Sequence, residues 1–401
     1  MDFDLPREDD PRRTEVRAWF ERHPTPTGRQ LAQAGYAVPH WPRPWGLAAD
    51  PELQLIVDEE IHRAGLLAPN HVNPVAINNC AQSLLTHGTE AQRQQLLPPA
   101  LAGEAIWCML FSEPSGGSDL GNLRTIARRE GDHYVIKGHK IWTSLADRAK
   151  VGVLVARTDV DVPKHMGLSQ FLIDMESPGV TVRPIVDMSG EHEYNEVFLD
   201  NVRVPADRLL GREGQGWALC TSQLQTERVA LSKAGAIWGS GPSARELVEG
   251  LLKTGAIGEP GIRDEAAKLY IEGELLRLLA YRSLSDRMNA KSAGPESAAR
   301  KMLAAPHGQR LLDLAKRAHG MGGLVAGAPF LPRSDGPRRH LDFDDWDYAF
   351  WFSPAVTLGV GTQEILKNVI SERVLGLPRE LDPTARMPWS EAQQPKLKSA
   401  T

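Results

Sequence analysis

The sequence has few cysteines, little excess of either charge and no long apolar run. Its three cysteines among 401 residues are isolated and odd in number, which argues against a disulfide framework or a cysteine-based zinc site. We therefore expect a reducing compartment, and hence a cytoplasmic protein. A net charge of -5 without a basic block disfavours binding to nucleic acid or to an anionic lipid surface. No run approaches the roughly 18 apolar residues that a membrane span requires.

Several chemical motifs are also missing. Residues 1–13 are charged and contain proline, so we expect no signal or transit peptide. No H-E-x-x-H is present, and Glu191–His192–Glu193 is better interpreted as a solvated loop than as a metal site. Because no Gly-Lys dipeptide, no G-x-G-x-x-G after a predicted strand and no G-x-S-x-G occur, a P-loop, a Rossmann nicotinamide site and a hydrolase elbow are disfavoured.

The composition, with 41% apolar and 24% charged residues, is typical of a folded protein. The length of 401 residues suggests two or three domains. Helical patterns at 53–63 and 82–101 give way to short β-type runs, among them a hairpin predicted around Gly138. These runs predict a small barrel or sandwich. They are His133–Ile136, Lys140–Ser144, Val151–Ala156, Ser169–Ile173, Val180–Pro184 and Glu196–Val204. Helical patterns return after Gly211.

Two segments of the β-type region combine groups that suit a ligand. Ser112–Asp119 contains two adjacent glycines, which let the backbone approach a ligand closely, and hydroxyls at Ser112 and Ser118. A simple β-turn explains the same residues. In Lys140–Ser144, a strand places Trp142 and Ser144 on one face, where an aromatic plane beside a hydroxyl suits a flat heteroaromatic cofactor. The alternative is that Trp142 belongs to the core.

The helical region contains one carboxylate in an apolar stripe. Cys220, Leu224, Glu227 and Leu231 follow the spacing of one helix face. Burial would raise the pKa of Glu227 toward the range useful to a general base. The alternative is an ion pair at a helix contact. Two Gly-rich points, 320–323 and 359–362, could hold an anion or a carbonyl oxygen through free N–H groups, or could be simple turns.

Taken together, these segments resemble the acyl-CoA dehydrogenase family from about Val57 to Glu380. The resemblance implies an α+β fold with an N-terminal all-α domain, a middle β-barrel domain and a C-terminal four-helix-bundle domain. The implied boundaries are 1–107, 108–211 and 212–380, followed by a loose tail, 381–401. The segments that carry the resemblance are Ser112–Asp119, Lys137–Trp142, Glu196–Pro205, Gly211–Trp217 and Gly361–Arg373.

The resemblance also implies FAD as the cofactor and α,β-dehydrogenation of an acyl-CoA thioester, with an electron-transfer flavoprotein or similar acceptor as partner. By position, the residues implied to bind the cofactor are Ser112, Ser118, Trp142, Ser144, Arg317, Gly320 and Thr362. Those implied to bind the substrate are Ser118, Arg228, Val360 and Gly361. The N–H of Val360 or Gly361 would face the thioester oxygen.

The catalytic base is implied by a departure from one branch of the family. In the short- and medium-chain branches a glutamate occupies the position of Val360, which here cannot take a proton. The isovaleryl- and long-chain branches carry the base on the first long helix after the barrel, just before an arginine. Glu227 followed by Arg228 matches that position. The apolar stripe and the resemblance therefore agree on Glu227 as the base.

Other departures resemble a bacterial subgroup that acts on branched, bulky or steroid-derived acyl-CoAs. The arginine that reaches the FAD pyrophosphate of a neighbouring subunit is missing from Thr254–Gly258, and Arg317 could supply that charge instead. We expect a homo-oligomer, a dimer or tetramer, or a hetero-oligomer with a related subunit. One alternative is a non-catalytic or partly catalytic partner subunit. Another is a different chemistry on the same scaffold, such as an acyl-CoA oxidase or a flavin monooxygenase.

Overall fold

A computed structural model describes residues 6–67, 69–230, 241–288, 296–325 and 343–393. It describes no side chains at 225–230, 284, 287–288 and 296–297. The chain divides into two compact units. The sheet-containing unit comprises Asp4–Ile185, Tyr194–Thr226 and Glu380–Thr401, and the helical unit comprises Met1–Phe3, Val186–Glu193 and Glu227–Arg379. In the described part of the chain, no helix is both long and apolar enough to span a membrane.

The N-terminal part of the sheet-containing unit is helical, as predicted. Its helices are α1 Pro11–Arg22, α2 Gly28–Gln33, α3 Pro51–Arg63, α4 Pro69–Val72, α5 Ala81–His87 and α6 Glu90–Leu101. The helix expected over 82–101 is in fact two, because Thr89 starts a new one. Its hydroxyl accepts from the Gln92 N–H at 3.2 Å, and the Gln92 side chain accepts from the Thr89 N–H at 2.9 Å.

The middle of the chain forms one eight-stranded sheet. Its strands are β1 Trp107–Leu110, β2 Ile126–Glu130, β3 His133–Ser144, β4 Val151–Arg157, β5 Leu168–Asp174, β6 Val180–Ile185, β7 Tyr194–Pro205 and β8 Leu209–Leu210. They lie in the order β6-β7-β3-β2-β4-β5-β8, and β1 pairs with β4. One core is formed mainly by the sheet, and another joins β1, β4 and β5 to the helices before β1 and to the start of the helix after β8.

The hairpin predicted around Gly138 is wrong. Gly138 lies inside the continuous strand β3, where its missing side chain admits Thr125, since an added Cβ would lie 2.2 Å from the Thr125 hydroxyl. The turn is instead at Gly131, whose φ is +64° and which separates the paired residues Glu130 and His133. At position 138 glycine therefore permits a close approach of Thr125 rather than a turn.

The remaining helices follow the sheet. They are α7 Gly216–Ala230, α8 Ala244–Thr254, α9 Pro260–Met288, α10 Glu296–Arg317, α11 Trp346–Phe352, α12 Gln363–Arg373 and α13 Trp389–Ala392. In the helical unit α10 packs against α8, α9 and α12. The result is the predicted α+β order of N-terminal helices, a β domain and a helical bundle. The domain boundaries at 107, 211 and 380 stay predictions.

The segment expected to be a loose tail makes specific contacts within the sheet-containing unit. The N–H of Trp389 donates to the Val162 carbonyl at 2.9 Å, and its indole Nε1 donates to Asn122 Oδ1 at 2.8 Å. The Arg157 guanidinium lies 4.2 Å from the centre of the Trp389 ring. Composition did not reveal this, because one aromatic residue anchors an otherwise polar stretch.

Candidate active site

A buried ion pair joins the two predicted ligand segments of the sheet-containing unit. Lys140 Nζ on β3 donates to Glu113 Oε1 at 2.9 Å and to the Phe111 carbonyl at 3.0 Å. The N–H of Ile141 donates to the Ser112 carbonyl at 3.0 Å. The structure therefore brings Ser112 alongside the strand that carries Trp142. Sequence reasoning missed this pair, although both of its members lie within the two segments that it had selected.

The surroundings of Glu113 favour its charged form. Burial alone would raise the pKa of Glu113, but the Lys140 ammonium outweighs it, together with the hydrogen bonds that the carboxylate accepts from the Thr125 and Arg124 N–H groups at 2.9 and 2.6 Å. The pKa of this carboxyl therefore lies below its usual range. A buried, hydrogen-bonded ion pair of this kind fixes the relative position of the segments that it joins.

Trp142 lies at the surface of the sheet-containing unit. Its side chain is 58% exposed, which rules out the core interpretation within this unit. Its φ of +61° is a left-handed value that bulky residues seldom adopt, and it coincides with a shift in the β3–β7 register between Lys140 and Thr143. The ring meets Tyr194 edge to face, with centroids 6.0 Å apart. Such strain often accompanies a ligand-binding position.

Ser144 and Ser118 flank this region differently. Ser144 is half-buried at the end of β3, opposite Tyr194 on β7. Ser118 is exposed, just beyond a turn in which Glu113 and Gly116 exchange backbone hydrogen bonds of 2.9 and 3.0 Å. The turn interpretation is therefore correct for residues 113–116. Ser112 lies just before this turn and Ser118 lies after it.

In the helical unit, the loop before α12 has unusual backbone geometry. Val360 has a φ of +59° and Gly361 a φ of +94°. Thr362 caps α12, since its hydroxyl accepts from the Ile365 N–H at 3.3 Å. The predicted Gly-rich helix entry is present, and its strained residue is the valine rather than a glycine.

Arg317 and Gly320 lie at the end of α10. The Arg317 guanidinium binds Glu265 Oε1 and Asp313 Oδ2, both at 2.7 Å, and is about half exposed. Gly320 has a φ of +54° in the turn that follows. Any contact between Arg317 and a phosphate would therefore compete with two carboxylates.

The helix α7 contains both Glu227 and Arg228, but their side chains lie outside the described residues. In the described part of α7, Leu219, Cys220 and Gln223 are buried. Gln223 exchanges two amide hydrogen bonds with Gln170 on β5, at 2.8 and 3.0 Å. Of the predicted stripe, Cys220 is buried and Leu224 is half-buried, while the positions of Glu227 and Leu231 have no described side chains. Gln223, a buried polar residue beside them, was not part of the predicted stripe.

Each unit contains features that fit a dinucleotide flavin. In the sheet-containing unit, the exposed indole of Trp142 suits stacking on a planar ring system. Beside it, the buried Thr143 hydroxyl makes no hydrogen bond within the described residues, a state that is costly unless another group satisfies it. In the helical unit, the Thr362-capped start of α12 presents N–H groups suited to an anionic or carbonyl oxygen.

Comparison with family models covers nearly the whole chain. Residues 7–104, 108–202 and 214–375 match the models described as the N-terminal, middle and C-terminal domains of acyl-CoA dehydrogenase. The chain is 36% identical over 351 residues to acyl-CoA dehydrogenase FadE34 of Mycobacterium tuberculosis, covering 87% of this chain but only 46% of FadE34. It is 33% identical over 378 residues to acyl-CoA dehydrogenase IpdE1 of Mycolicibacterium smegmatis, covering 92% and 89%.

Two solved structures have a similar fold and similar length. One is a steroid acyl-CoA dehydrogenase titled Tcur3481-Tcur3483, with a TM-score of 0.74, 27% identity and coverage of 95% of this chain and 100% of that chain. The other is the ChsE4-ChsE5 complex from Mycobacterium tuberculosis, with a TM-score of 0.74, 28% identity and the same coverage.

Proposed function

Since this chain belongs to the acyl-CoA dehydrogenase family, we propose that it catalyses FAD-dependent α,β-dehydrogenation of a branched, bulky or steroid-derived acyl-CoA thioester. The steroid acyl-CoA dehydrogenase among the similar structures supports the substrate class. The observation that carries the proposal is Trp142, which is exposed and has a left-handed backbone conformation. It lies on β3, the strand that the Lys140–Glu113 ion pair joins to the Ser112 segment.

The residues proposed to hold the cofactor fall into two groups. Ser112, Trp142 and Ser144 would contact its ring system, and Thr362 would approach it from the start of α12. Ser118 would contact the cofactor or the substrate. Bound FAD would supply a hydride acceptor at its N5 atom.

Glu227 is the proposed base. Its position is four residues after Gln223 and seven after Cys220, the spacing of one helix face, and both of those residues are buried on α7, which supports the proposal. As the base, the Glu227 carboxylate would take the α-proton of the thioester. The position that carries the base in other branches of the family is occupied here by Val360, which has no proton-accepting group.

The loop before α12 would make the α-proton acidic enough to remove. The N–H of Val360 or Gly361 would donate to the thioester oxygen and stabilise the negative charge that develops there. Arg228 and Ser118 would hold the remainder of the substrate. Exclusion of water around the thioester would strengthen both interactions.

Arg317 at the end of α10 and Gly320 in the turn that follows are also proposed to bind the cofactor. Arg317 would reach the pyrophosphate only after exchanging its bonds to Glu265 and Asp313. Because these carboxylates already neutralise Arg317, a second candidate function is that of a partner subunit in a hetero-oligomer. The similarity to a chain of the ChsE4-ChsE5 complex supports this alternative.

Assembly with further chains is also proposed. Ile271, Leu275 and Leu278 on α9 are 59%, 56% and 43% exposed, and apolar side chains grouped on one helix are typical of an interface. A dimer or tetramer of this chain, or a hetero-oligomer with a related subunit, would cover them. Electron transfer to an external flavoprotein and a cytoplasmic location complete the proposal.

The test is a screen of straight-chain, α-branched and steroid-side-chain acyl-CoAs against the purified chain under anaerobic conditions. Loss of flavin absorbance with a bulky or branched thioester is expected. A colourless chain that acquires no flavin on reconstitution would favour the partner-subunit function. A flavin-containing chain that no acyl-CoA reduces would contradict the proposed reaction.

A further inference from the structure

A buried lysine holds the loop before α12. Lys301, on α10, is 5% exposed. Its Nζ donates to the carbonyl oxygen of Gly359 and, at 2.5 Å, to that of Gly361. One cation therefore binds the carbonyl groups on both sides of Val360.

The loop has a conformation that needs such support. Val360 is β-branched and has a φ of +59°, and Gly361 follows at +94°. A β-branched residue with a left-handed backbone persists only where surrounding contacts enforce it. The two carbonyl bonds of Lys301 bracket this residue and so help to fix its peptide groups in space.

The contact also changes the electronic character of the peptide. The Gly359 carbonyl and the Val360 N–H belong to the same amide group. An ammonium group bound to the carbonyl oxygen withdraws electron density from the amide, and this makes the N–H a stronger hydrogen-bond donor. Lys301 therefore acts on one of the two N–H groups assigned to the thioester oxygen.

We propose that Lys301 is a positioning residue for the acyl-CoA reaction, which orients and polarises the Gly359–Val360 peptide so that its N–H can stabilise charge on the thioester oxygen. This inference rests on the proposed function for the identity of the ligand. Its structural half, the fixing of the loop, rests only on the contacts of Lys301.

Other contacts of α10 should keep the fold intact without this lysine. Gln309 Nε2 donates to the Ser353 carbonyl at 2.9 Å, and Gln363 Nε2 donates to the Met302 carbonyl at 3.2 Å. These bonds anchor the chain before and after the loop. Removal of Lys301 is therefore expected to loosen residues 359–361 rather than to unfold the helical unit.

The first arm of the test measures hydrogen–deuterium exchange of peptides that span 358–364 in the full-length protein without substrate. Lys301→Met should speed this exchange at least about tenfold, and Lys301→Arg, which keeps the charge, should stay within about threefold of wild type. Arg310→Met is the control, because Arg310 lies on the same helix but is exposed and pairs with Glu272 rather than with the loop. If the methionine variant does not fold, Lys301→Gln replaces it, with an intermediate rate expected.

The second arm measures anaerobic flavin reduction by the acyl-CoA that reduces wild type best. Lys301→Met should slow reduction about tenfold or more at saturating substrate, with a smaller change in the half-saturating concentration. Lys301→Arg should recover most of the rate. Unchanged exchange in Lys301→Met overturns the positioning role, and unchanged reduction overturns its contribution to the reaction. If wild type itself is not reduced, the proposed function fails, and the exchange arm still decides the role of Lys301 in the loop.

Discussion

The Lys140 ammonium lies 2.9 Å from the Glu113 carboxylate, and both side chains are buried. Lys140 also binds the Phe111 carbonyl, and Glu113 accepts from the Arg124 and Thr125 N–H groups. One ion pair thus connects strand β3 to two loop segments. Because Ser112 lies between Phe111 and Glu113, the pair sets the position of a residue proposed to contact the flavin.

Breaking this pair should destabilise the sheet-containing unit strongly. Glu113→Gln leaves the Lys140 charge buried without its partner, and we expect a loss of about 3–5 kcal/mol in the free energy of unfolding. The double variant Glu113→Gln with Lys140→Met should lose less than the sum of the single variants. Urea unfolding measures both. A loss of unfolding free energy in the double variant equal to the sum of the two single losses would show that the two groups act independently.

The same pair should contribute to the pH dependence of stability. The pKa of Glu113 is lower in the folded chain than in the unfolded chain, where it is about 4.3. Its stabilising effect is therefore fully present above that pH and is lost as the pH falls through the folded value. We expect the difference in unfolding free energy between wild type and Glu113→Gln to shrink as the pH falls from 5 to 3.

A control for this pH series is Glu176→Gln, because Glu176 pairs with Lys150 in an exposed position. Its effect should stay within about 0.5 kcal/mol at each pH. A difference in unfolding free energy between wild type and Glu113→Gln that stays constant over the whole pH series would contradict the assignment of a charged, ion-paired Glu113.

Patterns in the sequence predicted most of the fold but less of the candidate site. The strands and the helices α3 and α8–α10 follow local periodicity, which a short window reveals. The Lys140–Glu113 pair and the Lys301 contacts join residues 27 and 58–60 positions apart. No local pattern encodes such pairings. Gly138 illustrates the same limit, since its role depends on Thr125, the residue just before β2.

Trp142 should lower the stability of the fold through its backbone conformation while its indole ring contributes to FAD binding. Its left-handed backbone favours glycine, so Trp142→Gly should be more stable than Trp142→Ala by about 1 kcal/mol, although both remove the indole. Both variants should bind FAD at least about tenfold more weakly, because the stacking surface is lost. Thermal unfolding and flavin titration measure the two effects. FAD affinity that is unchanged in both variants would contradict the stacking role.

The C-terminal segment should stabilise the sheet-containing unit through one side chain. Trp389→Ala removes both the ring beneath the Arg157 guanidinium and the hydrogen bond to Asn122, and we expect a loss of about 1–3 kcal/mol. Trp389→Phe keeps an aromatic face but loses the donor, and should lose about 1 kcal/mol. Urea unfolding distinguishes these values. No change in either variant would mean that the segment contributes nothing to stability.

The central claim is that Glu227 removes the α-proton, and rapid-mixing measurement of anaerobic flavin reduction tests it most directly. The comparison uses wild type, Glu227→Gln and the control Glu249→Gln, whose side chain is exposed on α8. We predict that Glu227→Gln binds FAD normally but is reduced about 10²–10⁴-fold more slowly than wild type, while the control is unaffected. Reduction of Glu227→Gln at the wild-type rate would contradict the account.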